Sequence, residues 1–306
     1  MCSQRAGDAA TAFGLGPILT LRAAGYEARI APAAGGRLAS LDWVGSGAPR
    51  PLVVPWDGQP FDAHAWPKAG AFPMVPFANR LRPEGFSFGG RQVQPQHSPQ
   101  GFPLHGLAHR RAWQVVLAGE DFASLRLVHL PDSHWPWAFT ASQSIRLNAH
   151  GFWLELAVHN DFAETIPLSI GWHPYHPVDE SFIADGLVMC AQARHDLDPQ
   201  GRAIEATSLQ VFGLDPGETV AFSGWDGKCR LRTGAAGSIT VACKGSSQVV
   251  LHAPAKGRYV CVEPVTQLPG RLGEASATCG AEPSLAGALP SGATSSLSWH
   301  CAWQPS

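Results

Sequence analysis

The stretch Phe152-Trp153-Leu154-Glu155-Leu156-Ala157-Val158-His159 decides the fold class. Successive side chains of an extended chain point to opposite faces, so Phe152, Leu154, Leu156 and Val158 share one face while Trp153, Glu155 and Ala157 share the other. A helix would split those four apolar residues between two opposite sides. The same period of two returns in Leu19-Thr-Leu-Arg22, Tyr26-Glu-Ala-Arg-Ile30, Ser124-Leu-Arg-Leu-Val-His-Leu130, Gly237-Ser-Ile-Thr-Val-Ala-Cys243 and Val249-Val-Leu-His252, and Ser296–Trp303 reads as the last strand. The best helical stretches, Ala63–Lys68 and Leu285–Leu289, are too short for more than single turns. One apolar and one tolerably polar face per strand implies an all-β chain, a large antiparallel β-sandwich of two sheets packed face to face. Gly45–Pro51 and Ala275–Ser296 read as surface loops within a single domain spanning residues 1–306, whose N-terminal ~15 residues are expected to be loose.

Composition agrees. With 33 Gly and 26 Pro, but no collagen period and no repeat at propeller or solenoid spacing, the 306 residues suit many short strands joined by turns. Charged residues make up only 15% and the net charge is −2, and no basic run offers the footprint of a nucleic-acid binder. The seven cysteines are odd in number, scattered and free of C-x-x-C pairs, so reduced and mostly buried thiols are expected rather than a zinc or redox motif. There is no leader-like start and no window approaching the ~20 apolar residues of a membrane span, which makes a cytoplasmic protein without a membrane partner the expectation. Among the eleven Trp, Trp135-Pro-Trp137 reads as core filling rather than a sugar platform.

Three segments break the strand pattern with polar residues set among Pro, Gly and aromatics. The first is Gly70-Ala-Phe-Pro-Met-Val-Pro-Phe-Ala-Asn-Arg-Leu81 with its continuation Pro103-Leu-His-Gly-Leu107. The second is Ser169-Ile-Gly-Trp-His-Pro-Tyr-His-Pro177, and the third Tyr259-Val-Cys-Val-Glu-Pro-Val-Thr-Gln267. In each, a titratable group follows an apolar run and meets Gly or Pro at once, which places it at a strand end or turn where it can face a cleft. If the ends converge, two histidines, a carboxylate and an arginine come together. His105 and His109 could be taken for H-x-x-x-H metal ligands, but Gly106 and the strand-like flanks oppose the helix such spacing needs. His173, His176 and Glu263 could imitate the ligands of a metal-dependent jelly roll, although the usual H-x-H element is missing.

Asn79-Arg80, Leu104-His105-Gly106, Gly171-Trp172-His173-Pro174-Tyr175 and Val262-Glu263-Pro264, in this order and at these wide spacings, resemble the aldose 1-epimerase (galactose mutarotase) family over roughly Gly36 to Trp303. The resemblance implies a β-sandwich with a sugar cleft on one sheet, interconversion of the α and β anomers of a free aldose, and neither metal nor organic cofactor. By the family pattern Glu263 is the base, His173 the acid and His105 a second donor, with Arg80 and Asn79 on sugar hydroxyls. A further sugar-binding Asp is expected between the second and third motifs. Asp226, flanked by Trp225 and Gly227, is the candidate, with Asp196, Asp198 and Asp215 as rivals. Glu263 should be lifted towards neutrality by partial desolvation and His173 should hold a proton near pH 7. His176 stands where the family often has Phe, which leaves the pocket wall open.

Two other readings of function follow. Arg80, Arg82, Arg110 and Arg111 could serve a hexose phosphate, and the fold could be kept as a sugar-binding or regulatory module without turnover. Either way the partner is a small-molecule sugar, and oligomeric state is not legible.

Overall fold

Alternation is realised strand by strand. Phe152, Leu154, Leu156 and Val158 are 0–2% exposed within the strand Gly151–Asn160, whereas Trp153 between them is 41% exposed. The strand before it, Phe139–Asn148, returns antiparallel through Ala149 and His150, and the His150 N–H donates to Asn148 Oδ1 at 2.8 Å to close the turn. On its other side lies Thr294–Pro305, longer at both ends than the Ser296–Trp303 read from sequence. The structure, a computed structural model, describes residues 16–306 apart from 46, 57–60, 63–65, 82–84, 99–100, 179–185, 205–206, 209–213, 234–235, 274, 277–283 and 286. The expected loose N-terminus, Cys2, Cys279 and Arg82 therefore lie outside the described residues, as does much of the Ala63–Lys68 stretch.

Two sheets carry the chain. One has eight strands in the order Leu187–Met189, Lys228–Arg232, Gly237–Lys244, Thr294–Pro305, Gly151–Asn160, Phe139–Asn148, Phe122–His129 and Gln114–Ala118. The other has eleven strands, and its path runs Leu19–Ala23, Tyr26–Ala31, Arg37–Trp43, Ala71–Met74, Gly171–Pro177, Tyr259–Val265, Gln248–His252, Thr219–Ser223, Ala193–Asp196 and Thr207–Ser208, with Arg50–Val53 beside Arg37–Trp43. Neighbouring strands within both sheets pair antiparallel, as the turn-rich sequence predicts. The described helical segments are short 3-10 turns, Pro32–Ala34 and Ala108–Arg110.

The core fills the space between the sheets. Trp299 of the smaller sheet lies 5.7 Å from Phe152 and 6.1 Å from Trp172 of the larger one, ring centre to ring centre. Trp135 and Trp137 are both 1% exposed in the same core. Of the described cysteines, Cys229, Cys243, Cys261 and Cys301 are buried free thiols and Cys190 is exposed. A second apolar cluster, with Trp66, Phe72, Met74, Tyr175, Val250 and Cys261, lies on the opposite face of the large sheet. Alternation therefore sends Trp172 and His176 inward and His173 and Tyr175 outward, and that outer face is where the polar residues of the three segments meet.

Because Leu156 is 0% exposed and Glu155 points out, Leu156→Ala should lower unfolding free energy by about 2–5 kcal/mol and Glu155→Ala by no more than ~0.5 kcal/mol in urea melts. Equal losses would mean the alternation does not separate core from surface.

Candidate active site

Backbone pairing brings distant segments together. Gly171 lies opposite Val265 and Tyr175 opposite Cys261, so His173 faces Glu263 across two hydrogen-bonded strands. The two side chains meet at 3.4 Å, His173 Nε2 to Glu263 Oε1, and are 6% and 2% exposed as residues. The His173 ring is fixed in a column, stacked 4.6 Å from Phe72 and 4.7 Å from Tyr175. Tyr175 is in turn held by the Trp66 Nε1–H, which donates to its hydroxyl at 3.3 Å.

The first segment folds back on itself to add His105, Asn79 and Arg80. Val75 bridges Gly106 and Arg80 bridges Leu104, so the two loop pieces are joined side by side. Asn79 and His105 both adopt left-handed backbone, φ 57 and 58, and hold each other. The His105 N–H donates to Asn79 O at 3.0 Å, and the Asn79 N–H donates to His105 Nδ1 at 3.2 Å. Left-handed conformations in residues other than glycine persist only where the surroundings enforce them, and here they aim a side chain into the cleft. Gly106 is required for the same turn, since at φ 70 an added Cβ would come within 2.2 Å of Val75 O. Because Nδ1 accepts, the proton of neutral His105 belongs on Nε2, which makes that atom a donor.

Asn79, Arg80, His105, His173 and Glu263 all line one cleft of about 210 Å³. Arg80 reaches it with its guanidinium 4.3 Å from the centre of the Phe102 ring. Gly201 closes the other side, for a Cβ there would lie 2.2 Å from Arg80 Cδ. Asp226 is elsewhere. It sits, exposed, on the turn that carries the chain from the large sheet to the smaller one, where Oδ1 accepts the Lys228 N–H at 3.0 Å, and the indole of Trp225 is buried and donates to Lys228 O. The Trp-Asp-Gly signal was that of a turn, not of a binding face. The rivals do not line the cleft either: Asp198 is held by Arg202 at 2.7 Å, Asp196 by Arg194 at 3.0 Å, and Asp215 is exposed.

The structure also gives the places of His176 and of the arginines near the first motif. His176 does not shape the pocket wall, because it lies on the core face, 0% exposed, with Nδ1 2.8 Å from Leu52 O and its ring 6.1 Å from Trp299. Arg110 and Arg111 turn away, the first to His109 Nε2 and Leu104 O, the second to Asp132 at 3.0 Å. His109 likewise serves the loop, its Nδ1 lying 3.1 Å from His105 O. Sequence reasoning missed Lys68, Trp66, His252 and Tyr259, which also line the cleft. His252 was legible only as a strand end, and the structure pairs it with Cys261, two positions from Glu263; Lys68 ends the Ala63–Lys68 stretch, whose reading as a single helical turn points to no cleft.

Burial dominates the electrostatics. It pushes Glu263 up to about 8, with the Lys68 ammonium pulling the other way. His173 is driven well below its usual 6.5, by burial first and then by its neighbours His105, Lys68, His252 and Arg37. The lift on Glu263 has the expected direction, whereas a proton held on His173 near pH 7 does not fit. The pair instead carries one proton near neutrality, resting on the carboxyl, and titrates as a unit. Cys261 Sγ, His173 and Glu263 have ligand atoms within 4.8 Å of one another, a donor set that could hold a metal ion. The thiol is pushed well above 9.0 by burial and by Glu263, which disfavours the thiolate such a site needs.

Comparison with known proteins bears on the family and the fold. A family model for aldose 1-epimerase matches residues 17–252. Two Escherichia coli K12 proteins described as uncharacterized are related in sequence: YphB, 39% identical over 112 residues (36% of this chain, 38% of YphB), and YihR, 27% identical over 164 residues (52% of this chain, 50% of YihR). The matched regions thus span half or less of those relatives. Solved structures share the fold: a candidate aldose 1-epimerase from Escherichia coli K12 (TM-score 0.75, 24% identity, 94% of this chain and 99% of that one) and a galactose mutarotase-like protein from Clostridium acetobutylicum (TM-score 0.77, 17% identity, 94% and 95%). A GalM/aldose epimerase homologue from Caenorhabditis elegans is similar (TM-score 0.72, 15% identity, 94% and 99%). The chain belongs to the aldose 1-epimerase family.

Proposed function

We propose that the protein is an aldose 1-epimerase that interconverts the α and β anomers of a free aldohexose by opening and closing the ring. The observation that carries this reading is the His173–Glu263 contact of 3.4 Å on the cleft face, with the Nε2–H of His105 aimed into the same space. Ring opening needs a base to take the C1 hydroxyl proton and an acid to protonate the ring oxygen as the C1–O5 bond breaks. In the productive state Glu263 is ionised and His173 protonated, reached by moving the pair's single proton from carboxyl to imidazole. Glu263 then accepts the hydroxyl proton, His173 delivers its own to O5, and His105 donates a hydrogen bond where charge develops. Rotation about C1–C2 presents the other face of the aldehyde, and the same transfers in reverse close the ring with no net proton gained or lost. Arg80, with a planar array of donors, and Asn79 bind hydroxyls away from C1.

Optical rotation of freshly dissolved α-D-glucose or α-D-galactose should decay faster with the protein than in buffer, and Glu263→Gln and His173→Asn should each lower kcat by about 10²–10⁴-fold. Saturable sugar binding with a rotation decay equal to the blank would instead mark a binding module.

The shifted carboxyl also fixes a stability profile. An unfolded Glu263 releases its proton near 4.5 and the native one near 8, so the unfolded chain binds fewer protons in between and stability falls as pH rises through that window. Buried His105, His109 and His173, held below 6.5, act in the opposite sense at lower pH, because only their unfolded forms gain protons there. Charging of the unfolded histidines extends past pH 7, so the Glu263 contribution is read by difference: between about pH 7 and 8, thermal stability of the wild type should fall relative to that of Glu263→Gln as pH rises. A slope unchanged by the substitution would contradict the raised carboxyl.

A further inference from the structure

One register row crosses four adjacent strands on the outer face of the large sheet. Leu38 lies opposite Ala71, which sets Arg37 beside Phe72; His173 is opposite Phe72, and the pairing of Gly171 with Val265 and of Tyr175 with Cys261 sets Glu263 next in line. Arg37, Phe72, His173 and Glu263 thus follow one another at the ~4.8 Å spacing of neighbouring strands. The side chains keep that order. The Arg37 guanidinium is 4.6 Å from the centre of the Phe72 ring, and the Phe72 ring is stacked 4.6 Å from that of His173.

Arg37 is sparsely matched for a buried cation. It is 0% exposed, and of its side-chain nitrogens Nη1 donates to Ala69 O at 3.0 Å, while Nε and Nη2 have no hydrogen-bond partner and no carboxylate lies within ion-pair distance among the described residues. The Phe72 and Trp56 rings, 4.6 and 5.5 Å from the guanidinium carbon, compensate only in part. A neutral side chain of similar length would fill the same space without the desolvation cost. Facing the His173–Glu263 pair are Cys261 and Tyr259 from the Tyr259–Val265 strand, Tyr175 from the strand of His173, His105 from the loop, and Lys68 and His252 across the cleft. Burial keeps the thiol and both phenols protonated and both of these histidines uncharged at neutral pH, so the other cation facing the pair is Lys68. Lys68 is exposed to water, which screens it; the charge of Arg37 lies in the interior, where screening is weak.

We infer that Arg37 is a positioning residue for the reacting pair: from the other side of Phe72 it supplies a permanent, buried positive charge that helps the pair release its proton and opposes a second one. The inference rests on the epimerase reading for the use made of the pair. Both effects serve ring opening, since the base must ionise and the acid must give up its proton readily. A fixed cation two strand spacings from His173 and three from Glu263 lowers the proton affinity of both groups. At an effective dielectric of about 20, a charge ~10–15 Å away moves a titration by about one pH unit.

The test uses Arg37→Met and Arg37→Gln, two neutral side chains that differ in polarity, with folding checked by circular dichroism. NMR of the His173 ring, its signal assigned by its loss in His173→Asn, follows the pair without any substrate. Its titration, set near 8 in the wild type by the Glu263 carboxyl, should move up by about half a pH unit or more in both variants. The alkaline limb of kcat/KM for anomer exchange should move up with it. An Arg37 that only fills space would lower kcat/KM and leave both positions on the pH axis unchanged, which would overturn the inference. A shift in one variant that the other does not share, or the failure of both to fold, would overturn it too, by making shape rather than charge the reason for the residue. Should no sugar exchange faster than the blank, the epimerase reading fails by itself, and the substrate-free titration still decides whether Arg37 sets the charge of the pair.

Discussion

The register between Gly171–Pro177 and Tyr259–Val265 is the constraint on which the rest depends. With Gly171 opposite Val265, the imidazole of His173 and the carboxyl of Glu263 are cross-strand neighbours on the face turned away from the core. A slip of one residue would put Trp172 and Val262 on that face and send both titratable groups between the sheets, at a cost no buried pair could offset. The apolar residues on the other face of these strands, Trp172, Val260 and Val262, are each 0% exposed. Packing thus selects the register, and the register creates the site. No single contact within the site has to be strong enough to hold it together.

Much of this was legible in sequence because it follows from a period of two. The strands, the inward face of Gly151–Asn160 and the four motifs that surround the cleft were visible as alternation interrupted by Gly and Pro. His176 shows how far that logic extends: three positions from His173, it had to lie on the opposite face, and its burial against Trp299 is the outcome that alternation requires. Asp226 shows where it stops. A Trp-Asp-Gly turn states that the chain reverses, not which sheet the reversal serves, and here it links the large sheet to the smaller one. Lys68 was illegible for a related reason, since it reaches the cleft on an irregular segment whose path depends on tertiary packing over Trp66 and Tyr175.

Charge around the pair follows the same logic of layers. Arg37 is 0% exposed and lies 4.6 Å from the Phe72 ring, whose own neighbour in the column is His173 at 4.6 Å. Its Nη1–H donates to Ala69 O, and burial pulls its pKa down to about 10, which leaves it charged at neutral pH. A fixed cation beneath the ring column and a second, Lys68, at the rim both oppose a protonated His173. Burial opposes an ionised Glu263. The result is a pair that is electrically neutral at rest, with its proton on the carboxyl, set in surroundings that favour negative charge.

That arrangement bears on how a buried pair could carry the proposed proton transfers. Separating the proton from Glu263 in a buried site is unfavourable alone, but nearby cations reduce the cost of the carboxylate, and in the proposed reaction the C1 hydroxyl of a bound sugar would supply it with a hydrogen bond. In that reaction the imidazolium would form adjacent to the carboxylate, 3.4 Å away, so the two charges would appear as a contact pair and not as isolated ions. His105 does not compete for the proton. Its Nδ1 is occupied by the Asn79 N–H and burial keeps its ring neutral, so it can only donate through Nε2. The left-handed backbone at Asn79 and His105 is therefore more than a way of turning the chain: it sets the tautomer of one histidine, and in the proposed reaction thereby leaves proton transfer to the other.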